Sequence, residues 1–218
     1  MTASRLVIWR HGNTDWNRER RVQGHSDIPL NPLGLRQAAT AAPMLAALRP
    51  AAVVSSDLAR ARQTADALAE RAGLAVTTDP RLRERHFGRW QGRTMPEVID
   101  AHPHEHARWV AGDPDPGCEI EPRDRLLARG RTAFAAAADL VSDGAVVVVV
   151  THGGTAKHGV GGLLGWPDEL VPTLGGLGNC RWTVLERRVA GWRLAAYNVG
   201  PSVLAEPAII ATERPDAG

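Results

Sequence analysis

The chain has 218 residues, 44% of them hydrophobic, with 26 Lys plus Arg against 24 Asp plus Glu and a formal net charge of +2. This composition supplies enough apolar surface for one large α/β domain and excludes a disordered chain. The small net charge is carried by arginines spread along the chain, with Lys157 the only lysine, which excludes the concentrated basic footprint of a nucleic-acid binder.

In chain order, Leu6–Trp9 reads as a short buried strand. Leu33–Leu48 is alanine-rich with apolar residues at helical spacing, and Pro50 follows its end. Ala52–Ser55 reads as a second strand, Leu58–Ala72 as a helix closed by Gly73, and Leu74–Thr78 as a third strand. Residues 80–94 form a loop rich in Arg and Gly, and Pro96–Val110 a helix. The segment GDPDPGCEIEP, 112–122, is too rich in Pro and Gly for a regular element. Arg123–Val141 reads as a long helix. Residues 145–150, AVVVVV, lack polar alternation, as a central strand buried on both faces would, and are far too short to span a bilayer. Thr155–Leu164 completes the helices, and Trp182–Arg187 with Trp192–Tyr197 flank Gly191 as a hairpin.

This alternation predicts a three-layer α/β sandwich: a mainly parallel central sheet, helices on both faces and a small cap region. The expected organisation is one domain over 1–212, a cap excursion at about 95–125 and a flexible tail at 213–218. Met1–Arg5 leads straight into the first strand without a secretory pattern, so the expected location is cytoplasmic, with Cys118 and Cys180 reduced and inert. Trp9, Trp90, Trp166, Trp182 and Trp192 are expected in the core, and Trp109 on a cap helix, where it could face substrate.

Sites in parallel sheets form beyond the carboxyl ends of the strands. Arg10, His11 and Gly12 follow the first strand; Ser55, Ser56 and then Arg60 follow the second; Thr151, His152, Gly153 and Gly154 follow the valine run. If these strands are neighbours, two histidines and two arginines converge on one cleft, an anion site with a nucleophile in it.

The blocks RHGNTDWN, SSDLARARQTA, LRERHFGRWQG and THGG resemble, in order, the signature blocks of the histidine phosphatase superfamily, in the branch of the cofactor-dependent phosphoglycerate mutases and related phosphatases. The resemblance runs from about residue 5 to 198. It implies a phosphoglycerate mutase-like fold and phosphoryl transfer through a phosphohistidine. It requires no metal and no organic cofactor, and its partner is a small phosphorylated metabolite, with a homodimer possible and no nucleic acid or membrane involved. His11 takes the nucleophile's place; attack by its imidazole splits one hard displacement into two easier ones. Arg10 and Arg60 disfavour its protonation. Arg10, Arg60 and His152 fall on the phosphate-binding positions, where a fixed guanidinium fork suits charge spread over three phosphoryl oxygens. His152 is thus both a catalytic and a phosphate-binding candidate. Asn17 takes the place of an asparagine that bonds a phosphate oxygen or orients the nucleophile. Gln23 and Gly24 match the pocket mouth, and Gly153 with Gly154 packs around His152. Glu84 takes the place of the proton donor, which protonates the leaving oxygen and then activates water. Its competing reading is an ion pair with Arg81, Arg83 or Arg85.

RHFGRWQGRTMPEVI resembles the G-x-W-x-G-x-T-x-x-E of the phosphatase branch, which implies water as the acceptor. Residues 174–185, LGGLGNCRWTVL, resemble the glucosyl-3-phosphoglycerate phosphatase subfamily and imply a phosphorylated sugar or glycosylated phosphoglycerate as substrate. The alternatives are a cofactor-dependent phosphoglycerate mutase, a broad-specificity metabolite phosphatase and a non-catalytic phosphate-binding module. Asn13 stands where glutamate or glutamine is usual, and Gly117–Ile120 depart from the family's pattern near the rim, so both bear on substrate identity. HPHEH, 102–106, reads as the solvated face of a cap helix rather than a metal cluster, because side chains at i and i+2 diverge and no fourth ligand at a familiar spacing accompanies them. His25, His86 and His158 read as loop or structural residues, and Arg62 as part of a solvated face.

Overall fold

The valine run is the middle of the molecule. The computed structural model describes residues 3–142 and 144–201, so the tail expected at 213–218 lies outside the described residues. The elements run β1 (Arg5–Arg10), α1 (Asp15–Arg18), α2 (Pro32–Ala46), β2 (Ala52–Ser55), α3 (Ala59–Ala72), β3 (Val76–Thr78), α4 (Met95–Ala101), α5 (Pro103–Val110), α6 (Arg123–Ala138), β4 (Val146–Thr151), α7 (Gly153–Leu164), β5 (Trp182–Arg188) and β6 (Gly191–Val199). They build one sheet in the order β3-β2-β4-β1-β5-β6. β4 lies between β1 and β2, parallel to both; β3 continues the parallel part beside β2, and the hairpin β5–β6 adds two antiparallel strands at the far edge.

Period-two alternation divides the apolar side chains between two layers. Val7, Trp9, Val148 and Val150 face α2 and α3, where Ala38, Ala41, Leu45, Ala61 and Leu68 meet them. Leu6, Ile8, Val147 and Val149 face Phe134 and Ala137 of α6 and Ala156 and Val160 of α7. The three layers are those expected, with Trp9 and Trp182 in one core and Trp166 and Trp192 packed at the edge of the other. No helix among the described residues is long and apolar enough to cross a membrane.

Helices α6 and α7 cross at glycines. A Cβ on Gly159 would lie 2.5 Å from a ring carbon of Phe134, and one on Gly130 would lie 2.9 Å from the Cα of Gly159. Gly159→Val is therefore expected to destabilise the fold by about 1–3 kcal/mol through overpacking. A lower urea midpoint at unchanged m-value would show it; an unchanged midpoint would mean that the helices separate without cost.

Four local expectations need correction. The helix expected over 96–110 is two, because Pro103 keeps the preceding residue out of the helical region, and His102 sits at φ −142°, ψ 54°. The single turn α1 was not expected; a reciprocal cap between Thr14 and Asn17 holds it, with Asn where the usual signature has Glu or Gln. α6 ends at Ala138 rather than Val141, and α7 begins at Gly153, two residues early. Trp109 lies on α5, in the expected cap region, and is half-buried. It packs against Phe87 at 5.7 Å and Trp90 at 5.5 Å between ring centroids, with the Arg85 guanidinium 4.5 Å over its ring. These residues join Val98 and Ile120 in a third, smaller apolar cluster under α4 and α5.

Candidate active site

Sheet register brings the three strand ends together. Arg10 stands opposite Thr151, and Ser55 opposite Val150. The pairing continues one residue further: His11 N donates to the Thr151 carbonyl at 3.0 Å and Ser56 N to that of Val150 at 2.9 Å. His11 and His152 thus face each other with ring centroids 5.0 Å apart.

The two imidazoles hold complementary tautomers. His11 Nδ1 lies 2.7 Å from the Gly12 carbonyl oxygen. A carbonyl only accepts, so the proton is on Nδ1 and the Nε2 lone pair is free. At His152 the order is reversed. Arg60 Nε donates to Nδ1 at 3.2 Å, which leaves the proton on Nε2, 2.9 Å from Ser56 Oγ. Burial, then the charge of Arg60, holds both rings well below the usual pKa of 6.5. Both are neutral at pH 7.

This has a consequence for stability. Below pH 6.5 the unfolded chain takes up protons on these histidines and the native state does not. Stability is therefore full above 6.5 and falls with decreasing pH, by about 1 kcal/mol per histidine for each pH unit, until the native pKa is reached. Thermal melting across pH 7 to 5.5 is expected to show a falling midpoint with a shallower slope in His11→Asn. Equal slopes would contradict the assignment.

Arg60 is fully buried. Its Nη1 donates to the Ser26 carbonyl and its Nη2 to that of Gly24, both at 2.8 Å. With Nε on His152, three of its five N–H groups hold it in place, leaving one on each terminal nitrogen. Burial lowers its pKa to about 10, which keeps it charged at neutral pH. Arg10 donates through Nη1 to the Leu177 carbonyl, and its buried Nε has no hydrogen-bond partner among the described residues. An anion beside His11 would satisfy that donor.

Glu84 sits at the N-terminus of α7, where a helix offers free N–H groups to an anion. One carboxylate oxygen accepts from Arg85 N at 2.8 Å and Thr155 N at 3.1 Å, the other from Gly154 N at 3.0 Å. A Cβ on Gly154 would lie 2.6 Å from the carboxylate, so only glycine leaves room for it. Arg81 pairs with Asp79, and Arg83 with Asp57. Arg129 braces the segment from behind, donating to the carbonyls of Arg81 and Arg83 at 2.7 Å and of Glu84 at 3.1 Å, while it pairs with Glu121 at 2.7 Å. His25 Nε2 donates to the Glu84 carbonyl at 2.8 Å.

The remaining predicted residues surround this core. Asn17 Oδ1 accepts from Thr14 N at 3.1 Å and from Asn179 Nδ2 at 3.4 Å, and the same Asn179 amide donates to the His11 carbonyl at 3.0 Å. Gln23 Oε1 is buried without a partner among the described residues. Gly24 contributes the carbonyl that holds Arg60. Gly153 stands against the Arg10 guanidinium, 3.6 Å from where its Cβ would be. Asn13 is buried against α2: its backbone N donates to Gln37 Oε1 and its Oδ1 accepts from Asn31 Nδ2, at 2.8 Å each. Sequence reasoning passed over Arg129, for which no motif gives a signal, and gave no role to Asn179 within the 174–185 segment. Ser56 was visible at its strand end without a role. A cavity of about 720 Å³, lined by His25, His86, Glu121, Arg125 and Arg129 among others, opens beside the Glu84 backbone; His11 and His152 do not line it.

A neutral imidazole with a free lone pair, two buried guanidinium groups and a carboxylate held on a helix end are the parts that phosphoryl transfer needs. The sequence profile of the histidine phosphatase superfamily (branch 1) matches residues 6–200, and the chain belongs to that superfamily; its similarity to relatives named as phosphatases puts it with the phosphoric monoester hydrolases. Among its relatives is the glucosyl-3-phosphoglycerate phosphatase of Mycolicibacterium vanbaalenii, 37% identical over 220 residues that cover 93% of this chain and 98% of the relative. The glucosyl-3-phosphoglycerate phosphatase of Mycobacterium tuberculosis is 38% identical over 222 residues, with the same coverage of 93% and 98%. A solved structure of mycobacterial glucosyl-3-phosphoglycerate phosphatase with VO3 superimposes at a TM-score of 0.84 and 39% identity, covering 90% of this chain and all of that one.

Proposed function

We propose that the chain is a metal-independent phosphomonoesterase that works through a phosphohistidine, with a glycosylated phosphoglycerate such as glucosyl-3-phosphoglycerate as substrate. The observation that carries the chemistry is the tautomer of His11, whose proton lies on Nδ1 toward Gly12 and whose Nε2 is unprotonated. Nε2 attacks phosphorus, the bond to the leaving oxygen breaks, and Glu84 supplies that oxygen's proton. Water then gives a proton to Glu84 and attacks phosphorus, and the N–P bond returns its electron pair to Nε2. Arg10, Arg60 and His152 hold the phosphoryl oxygens throughout. Asn17, Gln23, Gly24 and Gly153 line the phosphate site directly or through Arg60.

The substrate reading is supported by the similarity to the two mycobacterial phosphatases. The 174–185 segment adds to it, since Leu177 and Asn179 touch Arg10 and His11. In this reading α4, α5 and the 112–122 segment are the cap of a single domain, and the enzyme is a cytoplasmic homodimer. The test is phosphate release from glucosyl-3-phosphoglycerate, 3-phosphoglycerate and simple sugar phosphates. The glucosylated substrate is expected to give the highest kcat/KM. A better rate on a simple sugar phosphate would reassign the substrate. Conversion of 3-phosphoglycerate to 2-phosphoglycerate without free phosphate would replace the phosphatase by a mutase.

A further inference from the structure

His102, Glu105 and Cys118 lie in the cap, apart from the reacting groups, and place one imidazole nitrogen, one carboxylate oxygen and one sulfur within 4.8 Å of one another. Two features of the sequence produce this cluster. Pro103 breaks the helix at His102, whose side chain makes no capping bond to α5, and Glu105 follows three residues later on the same side. Of the other histidines in HPHEH, His104 is exposed. The 117–120 turn brings the thiol, and it is fixed to the body of the cap: Arg89 N donates to the Cys118 carbonyl at 3.0 Å, and Phe87 bridges to Ile120.

A second observation points to a ligand. His102 Nε2 is buried and has no hydrogen-bond partner among the described residues, and a buried polar atom of this kind needs one. The nearby cations are ion-paired with other carboxylates, Arg89 with Glu119 at 3.0 Å and Arg108 with Asp113 at 2.8 Å, so neither is tied to Glu105 by an ion pair. A thiolate, a carboxylate and a neutral imidazole together carry two negative charges, matching a divalent ion. Nitrogen, oxygen and sulfur in one set suit a borderline cation rather than Ca²⁺ or Mg²⁺.

We propose that His102, Glu105 and Cys118 form a site for one divalent cation of the Zn²⁺ type, with water in the fourth position, which fastens the α4–α5 break to the 117–120 turn. Tetrahedral bonds of ordinary length put donors about 3.5 Å apart, so the three close slightly on the ion. The thiol proton goes to solvent as the metal–sulfur bond forms, and no electron changes hands. The metal-free chemistry proposed at His11 is untouched, because this ion acts on the cap.

The test is titration of the chelator-treated full chain with Co²⁺. A near-ultraviolet thiolate-to-cobalt band, with visible bands of four-coordinate cobalt, is expected to saturate at one ion per chain. Cys118→Ser loses the near-ultraviolet band, and His102→Gln shifts the titration to higher Co²⁺. Absence of the band in the parent, or its persistence in Cys118→Ser, overturns the site. Zn²⁺ is also expected to raise the melting midpoint of the parent and not that of Glu105→Gln, a variant that leaves the thiol in place; equal shifts overturn the proposal.

Discussion

His11→Ala is expected to lower phosphate release by a factor of about 10⁴ or more, the scale seen when an enzyme loses its nucleophile. The same variant loses the acid-labile phosphoryl group that the parent carries when quenched during turnover. The structure argues that this loss is chemical and not a collapse of the site. Among the described residues the His11 side chain bonds only the adjacent Gly12 carbonyl, while Arg60 and His152 are held by Ser26, Gly24 and Ser56. The phosphate cradle therefore survives, and inorganic phosphate still protects the variant against thermal unfolding. Turnover within tenfold of the parent would sink the phosphohistidine mechanism.

Glu84→Gln separates the two halves of the reaction. Glutamine keeps the oxygen that accepts from Arg85 N and Thr155 N, and loses the one that accepts from Gly154 N. With an alkyl phosphate the leaving oxygen needs a proton, so kcat is expected to fall by about 10² to 10⁴, the usual contribution of general acid–base catalysis. An aryl phosphate leaves as a stable phenolate without that proton. His11 is then phosphorylated, but water lacks its base, and phosphoenzyme accumulates. The expected record is a burst of about one phenol per site followed by a slow steady state. Equal losses on both substrates with no burst would remove Glu84 from its role.

Much of this arrangement of strand-end residues is legible in the sequence, and the reason is physical. Strand ends in a parallel sheet are set by register, and β2 and β4 are short apolar runs whose boundaries the sequence marks plainly. Arg10, His11, Ser56 and His152 follow from those ends. Arg129 did not, because an arginine in an alanine-rich helix carries no pattern; its role depends on three carbonyls presented by the shape of the 81–84 loop. Asn13 misled for the opposite reason. Its unusual identity tied it to substrate choice, whereas the turn after His11 points it into α2. The break at His102 is legible in Pro103, which the single helix expected over 96–110 left out of account.

The three bonds that fix Arg60 set when its charge is oriented. In water, the dipoles around a developing phosphoryl charge must turn to meet it, and that reorganisation is a large part of the barrier. Here the guanidinium is desolvated and aimed while the chain folds, by Ser26, Gly24 and His152. In the proposed mechanism, phosphate arrives at a solvent already frozen in the orientation that the transition state requires.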